Sequence, residues 1–223
     1  SQLSTVDLKV EQIKVMPSLM GEVDILKTIQ LLPGVQAANE GSTSFYVRGG
    51  GPDQNLILLD EATVYNASHL LGFFSVFNAD AIKNVKLIKG GMPARYGGRL
   101  SSVLDISMRD GNFNDYSTQG GIGLIASRLT AEGPLVKNKS SFLITARRTY
   151  ADVLVAPFLK GTDYEGNKYY FYDVNAKINY RISDKDRIYL SSYFGRDVFT
   201  FKSPDAGIGF DVPWGNATAS FRW

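Results

Sequence analysis

Apolar and polar side chains alternate along residues 170–182. The even positions are Tyr170, Tyr172, Val174, Ala176, Ile178, Tyr180 and Ile182; the odd positions are Phe171, Asp173, Asn175, Lys177, Asn179 and Arg181. A period of two predicts a strand with unlike faces. Tyrosines lie near both ends of the greasy face. A transmembrane barrel strand has this pattern, with lipid outside, water inside and aromatic girdles at the two interfaces. Tyr172 and Tyr180 are eight residues apart, roughly 26 Å at the strand rise. That is close to the apolar band of such a barrel, about 25 Å tall.

The same pattern predicts about six crossings beyond residue 115. Two short ones share Tyr116–Leu135, and Lys139–Leu154, Tyr169–Ile182, Arg187–Phe201 and Trp214–Trp223 supply the rest. In the last, Ala217, Ala219, Phe221 and Trp223 alternate with Asn216, Thr218, Ser220 and Arg222. Val136–Lys139 and Ser183–Asp186 read as tight turns, and Pro157–Lys168 and Lys202–Pro213 as long loops. Short turns on one side and long loops on the other are the barrel rule, the long ones being extracellular. Alternation puts one of the neighbours Arg147 and Arg148 towards lipid unless it lies near the rim. Asp173, Lys177 and Arg181 are expected at lumen walls and plug contacts.

The first half of the chain has another character. Residues 1–17 read as a polar, extended linker. A helix is predicted over about Glu22–Leu32, with Val23, Leu26, Ile29 and Leu32 on one face, Ser18 as its cap and Pro33-Gly34 as its stop. Ser44–Val47, Leu56–Leu59, Val85–Ile88 and Val103–Ile106 read as short strands, and Asn78–Ile82 as one helical turn. Residues 18–108 thus form a small α+β domain. Residues 109–115 are a polar hinge, and residues 116–223 are antiparallel transmembrane β-barrel strands. Six strands cannot close around such a domain, and an open edge in hydrocarbon leaves backbone groups unsatisfied. The sequence therefore reads as an incomplete barrel whose remaining strands lie beyond Trp223.

Composition narrows the chemistry. The net charge of +2 is too small to argue for nucleic acid. There is no cysteine, hence no disulfide, thiolate metal site or Cys nucleophile. A single histidine, His69, rules out a His-based metal cluster. No stretch approaches the length of a transmembrane helix. Ser1 opens no signal peptide, so the chain reads as starting within a mature or trimmed protein. Gly49-Gly50-Gly51 is not followed by Gly-Lys-Ser/Thr or a long helix, so it is no phosphate cradle. Residues 110–121 begin like a calcium loop but lack its sixth-position Gly and twelfth-position Glu. No nucleophile–base constellation is present, so the chain is not expected to be an enzyme, and neither a cofactor nor a metal is expected.

Three segments carry a family resemblance. They are DILKTIQLLPGV (residues 24–35), FYVRGGGPDQNLILLDEATVYN (45–66) and NADAIKNVKLIKGGMPARYGGRLSSVLDIS (78–107). Taken in order, they resemble the plug domain of TonB-dependent outer-membrane receptors, within them the Bacteroidetes-type branch. Residues 117–223 look like the first barrel strands of the same family. The resemblance implies a barrel of about 22 strands, plugged by the N-terminal domain and sited in the Gram-negative outer membrane. It implies active import of a scarce nutrient, such as a metal chelate, vitamin, glycan or peptide. The implied partners are TonB, engaging a segment upstream of Ser1, outer-membrane lipid, the rest of the barrel and, in some members, a surface lipoprotein lid.

The resemblance also implies roles for particular residues. Ligand meets the plug apices, here Asn39 and Glu40, then Gly51, Asp53 and Gln54, then His69, Phe73 and Phe74. For the two phenylalanines, packing in the plug core is the competing reading. Arg48 and Lys89 are implied to latch the plug to wall glutamates, Lys89 without the two-pronged geometry of an arginine. Two other functions compete with import. One is a passive or gated pore, favoured if no TonB-contacting segment exists. The other is a plug-like interaction protein that carries nothing, favoured if the chain makes no barrel.

Overall fold

The computed structural model describes residues 5–16, 22–203 and 207–223. Thr5–Lys9 is β1, Val10–Lys14 α1 and Ile25–Ile29 α2. The short strands β2 (Val35–Ala37), β3 (Phe45–Val47), β4 (Asn55–Leu59), β5 (Ala62–Thr63), β6 (Ser68–His69) and β7 (Phe74–Ser75) follow. β8 (Ile82–Ile88) and β9 (Ser102–Met108) complete the first half. One sheet has the order β1-β8-β9-β4-β5, with β4 parallel to β9 and the other pairs antiparallel.

The segment read as a linker therefore supplies an edge strand and a helix. Thr5 to Lys9 pair with Ile88 to Asn84. Val10 and Ile13 of α1 enter the main core beside Ile25, Leu26 and Ile29 of α2 and Leu87, Leu104 and Ile106 of the sheet. α2 is shorter than its apolar spacing suggests. Its cap is Asp24, whose carboxylate accepts from the Lys27 N–H at 3.1 Å; Ser18 lies outside the described residues. The helical turn expected at Asn78–Ile82 is a β-turn, closed by the Ala81 N–H on the Asn78 carbonyl.

The second half is one antiparallel meander. It comprises β10 (Ser117–Ile122), β11 (Ala126–Val136), β12 (Ser140–Thr149), β13 (Lys168–Arg181), β14 (Arg187–Ser203) and β15 (Ile208–Arg222), paired in chain order. A short helix, α3 (Ala151–Leu159), stands between β12 and β13. The crossing expected to reach Leu154 thus ends at Thr149. The long loop expected at Lys202–Pro213 is instead the end of a hairpin, in which Val198 pairs with Pro213 and Ser203 with Ile208.

Burial follows the predicted alternation. On β13 the odd positions Phe171 to Asn179 are buried while Val174 and Ile178 are exposed. The polar face covers the first domain and the greasy face points away. Arg147 is buried and Arg148, one residue from the end of β12, is exposed.

Candidate functional site: the seam between plug and wall

No strand of the first domain joins the six-stranded wall among the described residues. The two are joined by side chains, and buried ionic groups gather at two places along the seam.

The upper cluster centres on His69. β6 and β7 pair through His69 and Phe74, which fixes the imidazole against the wall. Its Nδ1 lies 2.6 Å from Asp197 Oδ2, and the other Asp197 oxygen accepts from the Leu70 N–H at 2.8 Å. Its Nε2 lies 3.2 Å from the Tyr193 hydroxyl and 3.5 Å from Asp173 Oδ2. The ring stacks on Phe171, centroids 4.1 Å apart. Nδ1 faces a carboxylate oxygen, which accepts, so that nitrogen donates to Asp197. Arg147 completes the cluster. It donates to Asp173 from Nε at 2.8 Å and to the Ser75 carbonyl at 2.8 Å, and it lies 4.0 Å from Glu22. Burial raises the Glu22 carboxyl above its usual range, and the Arg147 charge only partly offsets this.

The lower cluster centres on Lys177. Its ammonium donates to the Met108 carbonyl at 2.7 Å and lies 3.2 Å from both Asp60 and Asp110. Asp60 also accepts from the Met108 N–H at 2.9 Å. Next to it, Arg109 bonds Glu132 at 2.7 Å and the Asp80 carbonyl at 2.6 Å. Residues 109–110 of the expected hinge are therefore anchored on both sides. Asn112 makes a local turn there by accepting from the Asn114 and Asp115 N–H groups.

The residues expected to form the site are divided by this geometry. Asn39 and Glu40 are exposed at the tip of the β2–β3 hairpin. That tip meets the 70–73 turn, where the Thr43 N–H bonds the Gly72 carbonyl and Gly41 approaches the Phe73 ring. Gly51, Asp53 and Gln54 follow the opposite end of the hairpin and pack by Ser101, whose N–H bonds the Gln54 carbonyl. The 39–40 tip thus meets the 70–73 turn, and Asp53 lines a cavity together with Thr43, Ser68 and Arg99. His69 and Phe74 are buried, against the expectation that they meet ligand. Phe73 is partly exposed, with the Lys27 ammonium over its ring at 4.6 Å. Burial lowers the Lys27 pKa from its ordinary value.

Of the two residues of the expected latch, Arg48 is exposed. Lys89 is buried with its ammonium on the Pro33 carbonyl at 2.7 Å. Neither makes an ion pair among the described residues, and the wall's Glu132 is taken by Arg109. Cations of the wall instead meet carboxylates of the first domain: Arg147 with Glu22, Lys177 with Asp60, Arg128 with Asp80 and Arg222 with Glu61. Sequence reading anticipated Asp173 and Lys177 as wall contacts, left open which of Arg147 and Arg148 faces inward, and missed Glu22, Asp60 and Asp197. Among the described residues no group of three or more His, Asp or Glu is placed to hold a metal ion.

Residues 8–102 match the model of the TonB-dependent Receptor Plug Domain family. Three solved structures share the fold. The siderophore receptor PirA from Acinetobacter baumannii is 20% identical with a TM-score of 0.61 over 90% of this chain and 32% of its own. The outer membrane transporter YddB from Escherichia coli is 14% identical with a TM-score of 0.64 over 98% and 36%. The FrpB iron transporter from Neisseria meningitidis is 16% identical with a TM-score of 0.62 over 98% and 38%. The chain thus spans about a third of the length of these proteins. No curated protein sequence matches it.

Proposed function

We propose, from the match of residues 8–102 to the TonB-dependent Receptor Plug Domain family, that this protein is an outer-membrane importer whose plug gates the barrel and is moved by TonB. The observation that carries the reading is the seam. Plug and wall share side-chain bonds and no backbone ladder among the described residues. Buried ion pairs hold such a seam in register because leaving one partner unpaired is costly. Once water enters, each charged group is rehydrated, so the same bonds can be broken and remade. A plug held this way stays shut at rest and moves without unfolding the wall.

The substrate is a scarce nutrient. Among the similar structures are a siderophore receptor and an iron transporter, so a metal chelate heads a class that also includes vitamins, glycans and peptides. The exposed tip formed by Asn39, Glu40 and Phe73 is the part of the plug proposed to meet it.

The test is uptake of labelled ferric chelates, cobalamin, oligosaccharides and peptides by cells with and without the gene, in TonB-positive and TonB-negative backgrounds. Uptake that needs both gene and TonB supports the importer. Gene-dependent uptake that persists without TonB identifies a passive pore. No gene-dependent uptake of any class identifies an interaction protein.

A further inference from the structure

At one end of β12 the wall carries a helix whose apolar side chains nothing in the described chain covers. α3 reads ADVLVAPFL. Phe158 is 82% exposed, Val153 58%, Leu154 47% and Val155 45%. Such exposure in water is unfavourable for a segment with one charge, so something else covers it.

Its first turn shows on which side of the wall it stands. Asp152 lies 3.9 Å from Arg148, and the Arg148 guanidinium lies over the Tyr170 ring, 4.9 Å from its centroid. Arg148 points to the outer face, opposite to buried Arg147 and Thr149. The helix therefore starts on the greasy side of the wall, level with an aromatic and an arginine. Tyrosines and long cations of this kind mark a membrane interface. β12 and β13 are each paired on both sides. Additional wall strands would join at β10 or β15, so they would not cover α3.

We propose that α3 is an in-plane membrane anchor, lying on the outer-membrane lipid at the headgroup–acyl boundary. Its apolar side chains enter the lipid, and Arg148 at one end and Lys160 at the other face the lipid phosphates. Helices of this type sit about 5–10 Å into the boundary. The occupant is lipid because the helix continues the lipid-facing surface of β12 and β13. The proposal rests on the membrane reading above.

The test is site-directed spin labelling of the full-length protein in lipid vesicles. Labels are placed at Phe158→Cys and Val153→Cys, with Ile178→Cys on the exposed face of β13 as a membrane reference. Power saturation compares oxygen, which concentrates in acyl chains, with a water-soluble nickel chelate. Oxygen accessibility above nickel accessibility at 178, 158 and 153 is the expected result. Oxygen-rich 178 with nickel-rich 158 and 153 overturns the anchor and leaves the membrane reading standing. Oxygen-rich 178 with 158 and 153 shielded from both reagents also overturns it, because protein then covers the helix. A nickel-rich 178 overturns the membrane reading and the anchor with it.

Discussion

His69 Nδ1 and Asp197 Oδ2 lie 2.6 Å apart, although 128 residues separate them in the chain. The bond ties a two-residue strand of the plug to the fifth strand of the wall. Both groups are almost wholly buried, so neither has water as a substitute partner in the closed state. The interaction is thus costly to lose one-sidedly and inexpensive to exchange once the seam is wet.

His69→Ala is expected to destabilise the closed plug by about 3 kcal/mol, because it leaves a buried carboxylate short of its partner and removes the stack on Phe171. Asp197→Asn keeps the volume and one acceptor and should cost less, about 1–2 kcal/mol. Equilibrium denaturation of both variants measures the order. An alanine variant as stable as the wild type would mean the bond holds nothing.

Glu22 predicts a pH dependence. Burial raises its carboxyl above the ordinary 4.5, with Arg147 only partly countering. The folded protein therefore holds this proton more tightly than the unfolded chain. The resulting stability is fully present below about pH 4.5 and is lost as pH rises through the raised value. Wild type should lose stability relative to Glu22→Gln over that rise. Melting both proteins from about pH 4 to pH 7 reads it, and a constant difference between them would contradict it.

Much of the wall was legible because one face covers the plug and the other points away from it, so a period of two is written directly into residues 170–182. The edge strand β1 also left a signal, since Val6, Leu8 and Val10 alternate with Asp7 and Lys9. Its shortness and charge made it look like a linker. The 202–213 hairpin was hidden by its Pro and Gly content, which marks loops in general. The His69 cluster was not legible. Its partners come from β13 and β14, and nothing local to residues 68–70 distinguishes a buried imidazole from a ligand-facing one. Inward-facing Asp173 and Asp197 were the hint that the wall awaited a donor.

Lys177 and Asp60 should be energetically coupled, because Lys177 is the cation between Asp60 and Asp110. A double-mutant cycle of Lys177→Met and Asp60→Asn should give a coupling of about 1–3 kcal/mol. Additive losses would show that the lower cluster is held by the Met108 backbone bonds alone.

Gly195→Ala should disturb the upper cluster without removing any polar group. A Cβ there would collide with the Tyr193 hydroxyl and stand 3.0 Å from His69 Cε1. Overpacking of this kind costs about 1–3 kcal/mol. Gly120→Ala is the matched control, since its Cβ would meet nothing nearer than 3.8 Å. If both variants melt together, the space around His69 is looser than its contacts indicate.

The position of β1 makes the importer reading mechanically testable. β1 is an edge strand held to the plug by β8 alone among its sheet neighbours, and force applied from the N-terminus reaches it before α1 and the core. Asp7 and Lys86 are directly opposed in that pairing, and opposed pairs bring their Cβ atoms within about 5.5 Å. The chain contains no cysteine to compete. Oxidised Asp7→Cys/Lys86→Cys protein should therefore bind substrate normally and fail to import it, and reductant should restore uptake. Each single variant should import at the wild-type rate. Import undiminished by a verified cross-link would mean that β1 stays on the sheet during transport and that the pull is transmitted to the plug as a whole.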